Sequence, residues 1–363
     1  MKSQVLDWLA RGKRIIGIGP MSENCVAAVF RYSHDHSCPI EIIASRRQIE
    51  AREFGGGYVN NWCTEDFGAH ISKMRKKYPK SLVVLCRDHG GPWQGYHEEG
   101  LPFNVAMERA KKSFEADISS GFDLLHIDPS IDGDGEFSFG RAISAGCQLL
   151  SHCHTYAKKQ GKEILFEVGT EENVGKATSS EVFEEGLGLI LAHCKKESIP
   201  HPIFVVGQTG SLVKEMRQVG NFDSKGASKL VLAALKHGVF FKEHNADYLS
   251  EYQLSERQGA KIQSMNVAPE FGAIESRAFV DLCMENGRRD LVPRFIALSI
   301  ASGKWKKWVV DKSKISDYDL GMISGHYVFA TKEFQSMLGE LGKEKFDRLA
   351  QESIHSRIDF YCR

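Results

Sequence analysis

A chain of 363 residues with 42% hydrophobic and 26% charged side chains can bury a large core, as one α/β barrel with an appendage or as two domains. Its 47 basic and 47 acidic residues cancel, so no net field selects for nucleic acid or for an anionic membrane. Nine scattered cysteines without a C-x-x-C pair fit reduced thiols better than a disulfide framework, residues 1–14 hold no apolar signal core, and no run of about 18 apolar residues occurs; a soluble, cytoplasmic protein is expected.

Taken in chain order, short apolar runs at residues 14–19, 39–44, 81–86, 123–128, 163–168, 202–207, 238–243 and 260–266 read as strands. Longer stretches of helical periodicity separate them, among them 104–119, 140–159 and 180–196. Eight β-α units over roughly 280 residues is the length of a (β/α)8 TIM barrel, whose active site gathers at the carboxyl ends of the strands. A doubly wound sheet fits less well, because Gly17-Ile18-Gly19-Pro20-Met21-Ser22 does not continue into the G-x-G-x-x-G turn. After about Arg288 the pattern changes to segments that read as helices and turns, including Trp305-Lys306-Lys307-Trp308. The expectation is a barrel over residues 1–288 and a helical extension over 289–363 packed on it. The basic Trp pair reads as a packed interface or a phosphate clamp rather than a nucleic-acid stacking platform.

The strand ends carry the chemistry. Strand three runs through Leu82-Val83-Val84-Leu85-Cys86 and delivers an Asp88-His89 pair into the loop Gly90-Gly91-Pro92. Other strands end in Ser45-Arg46-Arg47-Gln48, His126-Ile127-Asp128, Glu167 followed by Glu171, Gly207-Gln208-Thr209-Gly210, His244-Asn245-Ala246-Asp247, and Asn266. Singly, each has a structural explanation, since carboxylates cap helices and Gly-rich stretches make turns. Together, at the same end of successive strands, they predict one cavity around Asp88, His89, Glu167, Glu171, His244 and Asn266. Histidines and a carboxylate from separate strands suit a divalent metal such as Zn²⁺, acting as a Lewis acid while another carboxylate moves the proton. No H-E-x-x-H or comparable local motif occurs, so residue types alone leave metal site and plain polar pocket both open. His152-Cys153-His154 lies inside a predicted helix, where alternate residues face different sides, and is not expected to ligate jointly.

These pieces resemble a known family. Ile43-Ala44-Ser45-Arg46-Arg47-Gln48, Phe54-Gly55-Gly56-Gly57-Tyr58, Asp88-His89-Gly90-Gly91-Pro92, His126-Ile127-Asp128-Pro129-Ser130, Glu167-Val168-Gly169-Thr170-Glu171-Glu172 and Glu243-His244-Asn245-Ala246-Asp247-Tyr248 agree in order and spacing with the tagatose-1,6-bisphosphate aldolase Z-type subunit family. That family is similar to class II fructose-bisphosphate aldolases, and some of its members carry the label tagatose-6-phosphate kinase. The resemblance covers about residues 14–275 and implies a TIM barrel. It implies Asp88 as the acid acting on the aldehyde carbonyl and Glu171 as the proton-abstracting group. His89 and His244 become metal ligands, Glu167 a further ligand or the carboxylate behind one, and Asn266 a contact to the enediolate. Ser45, Gln48, Asp128, Gln208 and Asp247 join Asn266 as candidate substrate contacts. Two departures from the class II pattern stand out. Gln208 occupies the region where the third metal-binding His follows strand six, and His244-Asn245-Ala246-Asp247 lacks the Gly/Ser-rich phosphate cradle.

Two functions follow. One is a metal-dependent aldolase-like enzyme on ketose phosphates, performing retro-aldol cleavage, or C4 epimerisation if the cleaved aldehyde turns and recondenses. The other is a non-catalytic subunit that stabilises a separate class II aldolase. The expected partners are a sugar-phosphate substrate and either that catalytic subunit or a second copy of the chain, with no nucleic acid and no membrane. Kinase chemistry is rejected, because no G-x-x-x-x-G-K-[ST] loop occurs.

Overall fold

A parallel barrel strand packs one face into the barrel and the other against helices, so its sequence reads as a nearly continuous apolar run. In the computed structural model, which describes residues 2–131, 133, 135, 138–169 and 178–363, the eight runs form β1 (Ile15–Ile18), β2 (Pro39–Ser45), β3 (Leu82–Gly90), β4 (Leu124–Ile127), β5 (Leu165–Val168), β6 (Phe204–Val206), β7 (Phe240–Glu243) and β8 (Ser264–Val267). All pairs are parallel and the sheet closes in the order β1-β8-β7-β6-β5-β4-β3-β2, the TIM barrel expected from the sequence. Closure sets Gly17 of β1 opposite Asn266 of β8. Ser45 lies opposite Asp88, and His126 opposite Glu167. The register thus brings the polar strand ends into one ring.

Helix α1 (Lys2–Ala10) precedes the barrel and plugs its amino-terminal mouth, with Val5 and Leu9 in a cluster with Ile15, Ile43, Val84, Leu124 and Phe204. The helices that follow successive strands are α2 (Glu23–His36), α3 (Thr64–Lys77), α4 (Phe103–Ser119), α5 (Phe139–Lys159), α6 (Ser180–Glu197), α7 (Ser224–Lys236), α8 (Glu251–Gly259) and α9 (Pro269–Glu285). Ser22, Ser138, Ser179, Asp223 and Ser250 cap the starts of α2, α5, α6, α7 and α8, each side chain accepting an otherwise unpaired backbone amide.

Beyond α9 come α10 (Leu291–Ala301), α11 (Asp317–Ser324), α12 (Lys332–Leu341) and α13 (Lys343–Cys362). Phe279 of α9 packs against Phe295, Phe334 and Phe346, so this region shares a core with the last barrel helix. Helix α13 returns to the barrel, where Ile354, Ile358 and Tyr361 join the main core. The Tyr361 hydroxyl lies 2.6 Å from Glu270 and 2.8 Å from the Ala246 carbonyl. A short turn, Lys304–Lys307, lies over the carboxyl-terminal mouth. A small antiparallel ribbon of residues 213–214 and 217–218, not foreseen in the sequence, holds it there. The Glu215 amide donates to the Trp308 carbonyl (2.9 Å) and the Lys214 ammonium to the Lys307 carbonyl (2.7 Å). Gln218 donates to the carbonyls of Asn245 and Asp247, both at 2.7 Å, tying the ribbon to the loop after β7. Among the described residues no helix is long and apolar enough to cross a membrane, and the nine cysteines are free thiols.

Candidate metal centre and active-site cleft

Neighbours in a strand point to opposite faces, so Asp88 and His89 should not reach one site. A bulge resolves this. The β3–β4 register shifts between Arg87 and Gly90, and His89 adopts a left-handed backbone (φ 47°). Gly91 makes the bend possible, since a Cβ there would fall 2.0 Å from the Asp128 carbonyl. Both side chains then meet at the barrel mouth, where His126 from β4 and His244 just after β7 join them. One donor atom from each of Asp88, His89, His126 and His244 lies within 4.8 Å of every other.

The closest approaches are His89 Nε2 to His244 Nδ1 at 3.3 Å, Asp88 to His126 Nδ1 at 3.7 Å, and Asp88 to His89 Nε2 at 3.8 Å. His89 is fixed from behind, its Nδ1 lying 2.5 Å from the Asp128 carboxylate, which also accepts from the Gln94 amide and the Ser130 backbone. That bond keeps a proton on Nδ1 and turns Nε2 toward the cluster, where a bound cation would take the place of its proton. His126 Nδ1, the nitrogen nearest Asp88, accepts the His89 amide at 3.2 Å, so its lone pair would have to leave that amide to take a cation. His244 Nε2 lies 3.2 Å from Glu167 and 3.0 Å from the Asn266 amide. Asn266 also reaches Asp88 at 3.2 Å; a Cβ at Gly17 would fall 2.3 Å from its Oδ1, so only glycine fits opposite it.

These electrostatics are strongly coupled. Burial alone would raise the Asp88 carboxyl, but the imidazoles of His89, His244 and His126 around it reverse this and hold it well below the usual carboxylate range. Burial works against a charge on His89, yet Asp88 and Asp128 push its imidazole up to about 9. His244 is shifted down, chiefly by burial. Beneath the cluster, Lys242 bridges Glu41 (2.6 Å) and Glu167 in a fully buried triad. Burial opposes the Glu167 charge, while Lys242 and then His126 bring its carboxyl down to about 2.

The residues fit a divalent cation. Ligand atoms at about 2.1 Å in a tetrahedron lie about 3.4 Å apart, close to the 3.3 Å between His89 Nε2 and His244 Nδ1. Ring nitrogens of His89 and His244 converge with an ionised carboxylate, and the Asn266 Oδ1 beside them is buried without a hydrogen-bond partner among the described residues. His152 instead pairs with Glu115 at 2.9 Å, and Cys153 is buried in the core.

Of the residues singled out in the sequence, Asp88, His89, His244 and Asn266 meet in a cleft of about 250 Å³, which Ser45, Gln48 and Asp247 also line. Asp247 spends one oxygen on the Ala268 and Glu270 amides at the start of α9. Glu167 sits behind His244, and Asp128 behind His89. Gln208 stands apart from the cleft, its backbone paired with Thr178. Glu171 lies outside the described residues. His126 was missed as a ligand, though a polar residue inside the run Leu124-Leu125-His126-Ile127 is a signal. Also missed were the cleft residues Arg47, Tyr58, Lys304, Lys307, His326 and Tyr327. A larger cavity, about 940 Å³, opens at the opposite mouth near Trp8, Arg14 and Gln263.

No model of a known protein family matches the chain. Among curated proteins, the D-tagatose-1,6-bisphosphate aldolase subunit GatZ of Klebsiella oxytoca is 28% identical over 137 residues. Over that stretch the chain is similar to this GatZ subunit. The match takes in 35% of this chain, and the chain spans less than a third (30%) of that relative's length. Among solved structures, a probable tagatose 6 phosphate kinase from Sinorhizobium meliloti 1021 superimposes with a TM-score of 0.78 at 17% identity, over 96% of this chain and 99% of that one. A fructose-bisphosphate aldolase from Campylobacter jejuni follows, with a TM-score of 0.59 at 12% identity over 99% and 91%. At these identities the structural likeness concerns the fold.

Proposed function

We propose that this chain is a metal-dependent, class II aldolase-like enzyme acting on ketose phosphates, by retro-aldol cleavage or C4 epimerisation. The observation that carries this reading is the cluster of Asp88, His89, His126 and His244 at the carboxyl-terminal mouth. A divalent cation held by the three imidazoles, Zn²⁺ in the simplest case, supplies a Lewis acid that polarises a carbonyl. Asp88 then does the proton work. Held ionised, it can take the proton of the C4 hydroxyl as the C3–C4 bond breaks. The bond's electron pair goes to the three-carbon fragment as an enediolate and leaves an aldehyde at C4. If the aldehyde turns before recondensing, Asp88 returns the same proton to the new C4 hydroxyl, and no oxidant or reductant is consumed. Asn266, beside both Asp88 and His244, would steady the enediolate, and Glu171 would protonate it when cleavage runs to completion.

A second reading, a stabilising subunit for a separate aldolase, is favoured by the word subunit in the name of the curated relative. One experiment separates them. The purified chain, loaded with Zn²⁺ or Mn²⁺, is given ketose mono- and bisphosphates; the enzyme reading expects cleavage or C4 epimerisation that Asp88→Asn abolishes without unfolding. Activity arising only on adding a partner aldolase, and undiminished by Asp88→Asn, would establish the accessory role.

A further inference from the structure

The cleft that holds the metal-ligand cluster has a cationic side that the reading above does not use. Arg47 follows β2, and Lys304 and Lys307 come from the turn beyond α10; all three line the cleft, and none pairs with a carboxylate among the described residues. Their neighbours are aromatic. Lys304 lies 4.7 Å from the ring centre of Tyr96 and 3.5 Å from its hydroxyl, while Lys307 lies 4.3 Å from the ring centre of Trp308. The adjacent Arg46, by contrast, is buried and pairs with Glu50 and Glu98 at 2.6 Å, whereas Arg47, Lys304 and Lys307 are exposed at the cleft. Like charges gathered without counter-ions cost free energy, so a cluster left unpaired beside a reactive centre is suited to an anion that arrives with the substrate.

A second observation points to a ligand. His326 lines the same cleft, is 2% exposed, and has no hydrogen-bond partner at either ring nitrogen among the described residues. Buried polar groups are almost always bonded, so an orphan imidazole implies a partner that arrives from outside. It lies between Tyr58 and Tyr327, with ring centres 6.0 and 4.0 Å away, and Trp308 donates to the Tyr327 hydroxyl at 3.1 Å, joining the His326 side of the cleft to the lysine turn. Burial of its ammonium end, and after that Arg47, Lys304 and Lys214, brings the Lys307 group down to about 8.

We propose that Arg47, Lys304, Lys307 and His326 form a subsite for the phosphate monoester at the end of the substrate remote from the scissile bond. This rests on the aldolase-like reading for which end of the sugar reaches the metal cluster. A phosphate monoester carries a charge near −2 and three acceptor oxygens, which match several cations and a neutral imidazole better than a single carboxylate does. The turn that carries the lysines is therefore a specificity element, and it stands in for the backbone cradle absent after His244.

The test is binding, with no turnover involved. Glucitol 6-phosphate, which has no carbonyl to cleave, is titrated calorimetrically into the full chain loaded with Zn²⁺ at fixed ionic strength. Saturable binding is expected, at least tenfold tighter than for glucitol or gluconate. The Lys304→Gln/Lys307→Gln variant should weaken it tenfold or more, with Lys304→Arg/Lys307→Arg restoring most of it and circular dichroism unchanged. His244→Ala should bind glucitol 6-phosphate within threefold of wild type, so the subsite would survive failure of the metal-based reading. Equal affinity for glucitol or gluconate, unchanged binding in the double glutamine variant, or loss of binding in His244→Ala would each overturn the proposal.

Discussion

Asp128 grips His89, its carboxylate 2.5 Å from Nδ1, and so dictates which nitrogen of that ring is free. The Asp128 side chain is almost fully buried and bonds also to Gln94 and Ser130, so the grip is rigid. Carboxylates behind metal-binding histidines are typically worth a ten- to hundredfold factor in affinity. Asp128→Asn should therefore weaken Zn²⁺ or Mn²⁺ binding about ten- to hundredfold, read by competition with a chromogenic chelator. Unchanged affinity would remove Asp128 from the support of the site.

His126→Ala should lower bound metal as severely as His244→Ala does. It should also cost some stability in chelator, because His126 Nδ1 accepts the His89 amide and its removal leaves that donor unpaired. Metal analysis of the two variants, alongside unfolding in EDTA, checks this. Full metal content in His126→Ala would reduce the cluster to the residues the sequence alone suggested.

The Glu41–Lys242–Glu167 triad is wholly buried, so removing its cation leaves carboxylates without compensation. Lys242→Met should destabilise the protein by about 3–5 kcal/mol in denaturant unfolding, and adding Glu41→Gln should recover part of that. A neutral Lys242→Met substitution would show that the triad adds nothing to the fold.

Glu275 gives a pH signature remote from the cleft. Burial pushes its carboxyl up to about 7, although Ser22 and Asn24 hydrogen-bond to it and pull the other way. A carboxyl raised in the folded state binds its proton more tightly there than in the unfolded chain. It therefore costs nothing below the unfolded value and penalises folding progressively as pH climbs toward 7. Glu275→Gln should consequently stabilise the protein at pH 8 by about 1–3 kcal/mol, with the gain shrinking to nothing near pH 4. Thermal unfolding across that range is the measurement, and a gain that does not vary with pH would contradict the linkage.

Much of the barrel was legible because parallel strands bury both faces, which writes them as unbroken apolar runs such as Leu82-Val83-Val84-Leu85. The same rule hid His126. A polar residue inside such a run points into the barrel, but nothing local says whether it meets a metal or a satisfied neighbour. Arg46 and Arg47 make the limit plainer. Adjacent and chemically identical, one is locked between Glu50 and Glu98 while the other faces the cleft. Glu98 and the Gly91 carbonyl, brought in from the loop after β3, decide that difference together with the nearby Glu50, and the local pattern carries only the last of these. Trp305-Lys306-Lys307-Trp308 reads as a clamp or an interface, but the place of this turn over the mouth depends on the 213–218 ribbon, whose strands of two residues are too short to leave a periodic trace.

The pairing of Gly17 with Asn266 joins positions nearly 250 residues apart, and it is the contact that turns an open sheet into a barrel. Contacts of such long range form late, after the loops they close have lost their freedom. Asn266 is also the amide lying between Asp88 and His244. A chain still open along this seam lacks the Asn266 amide between Asp88 and His244, so closing the barrel and completing the candidate metal centre are one and the same contact.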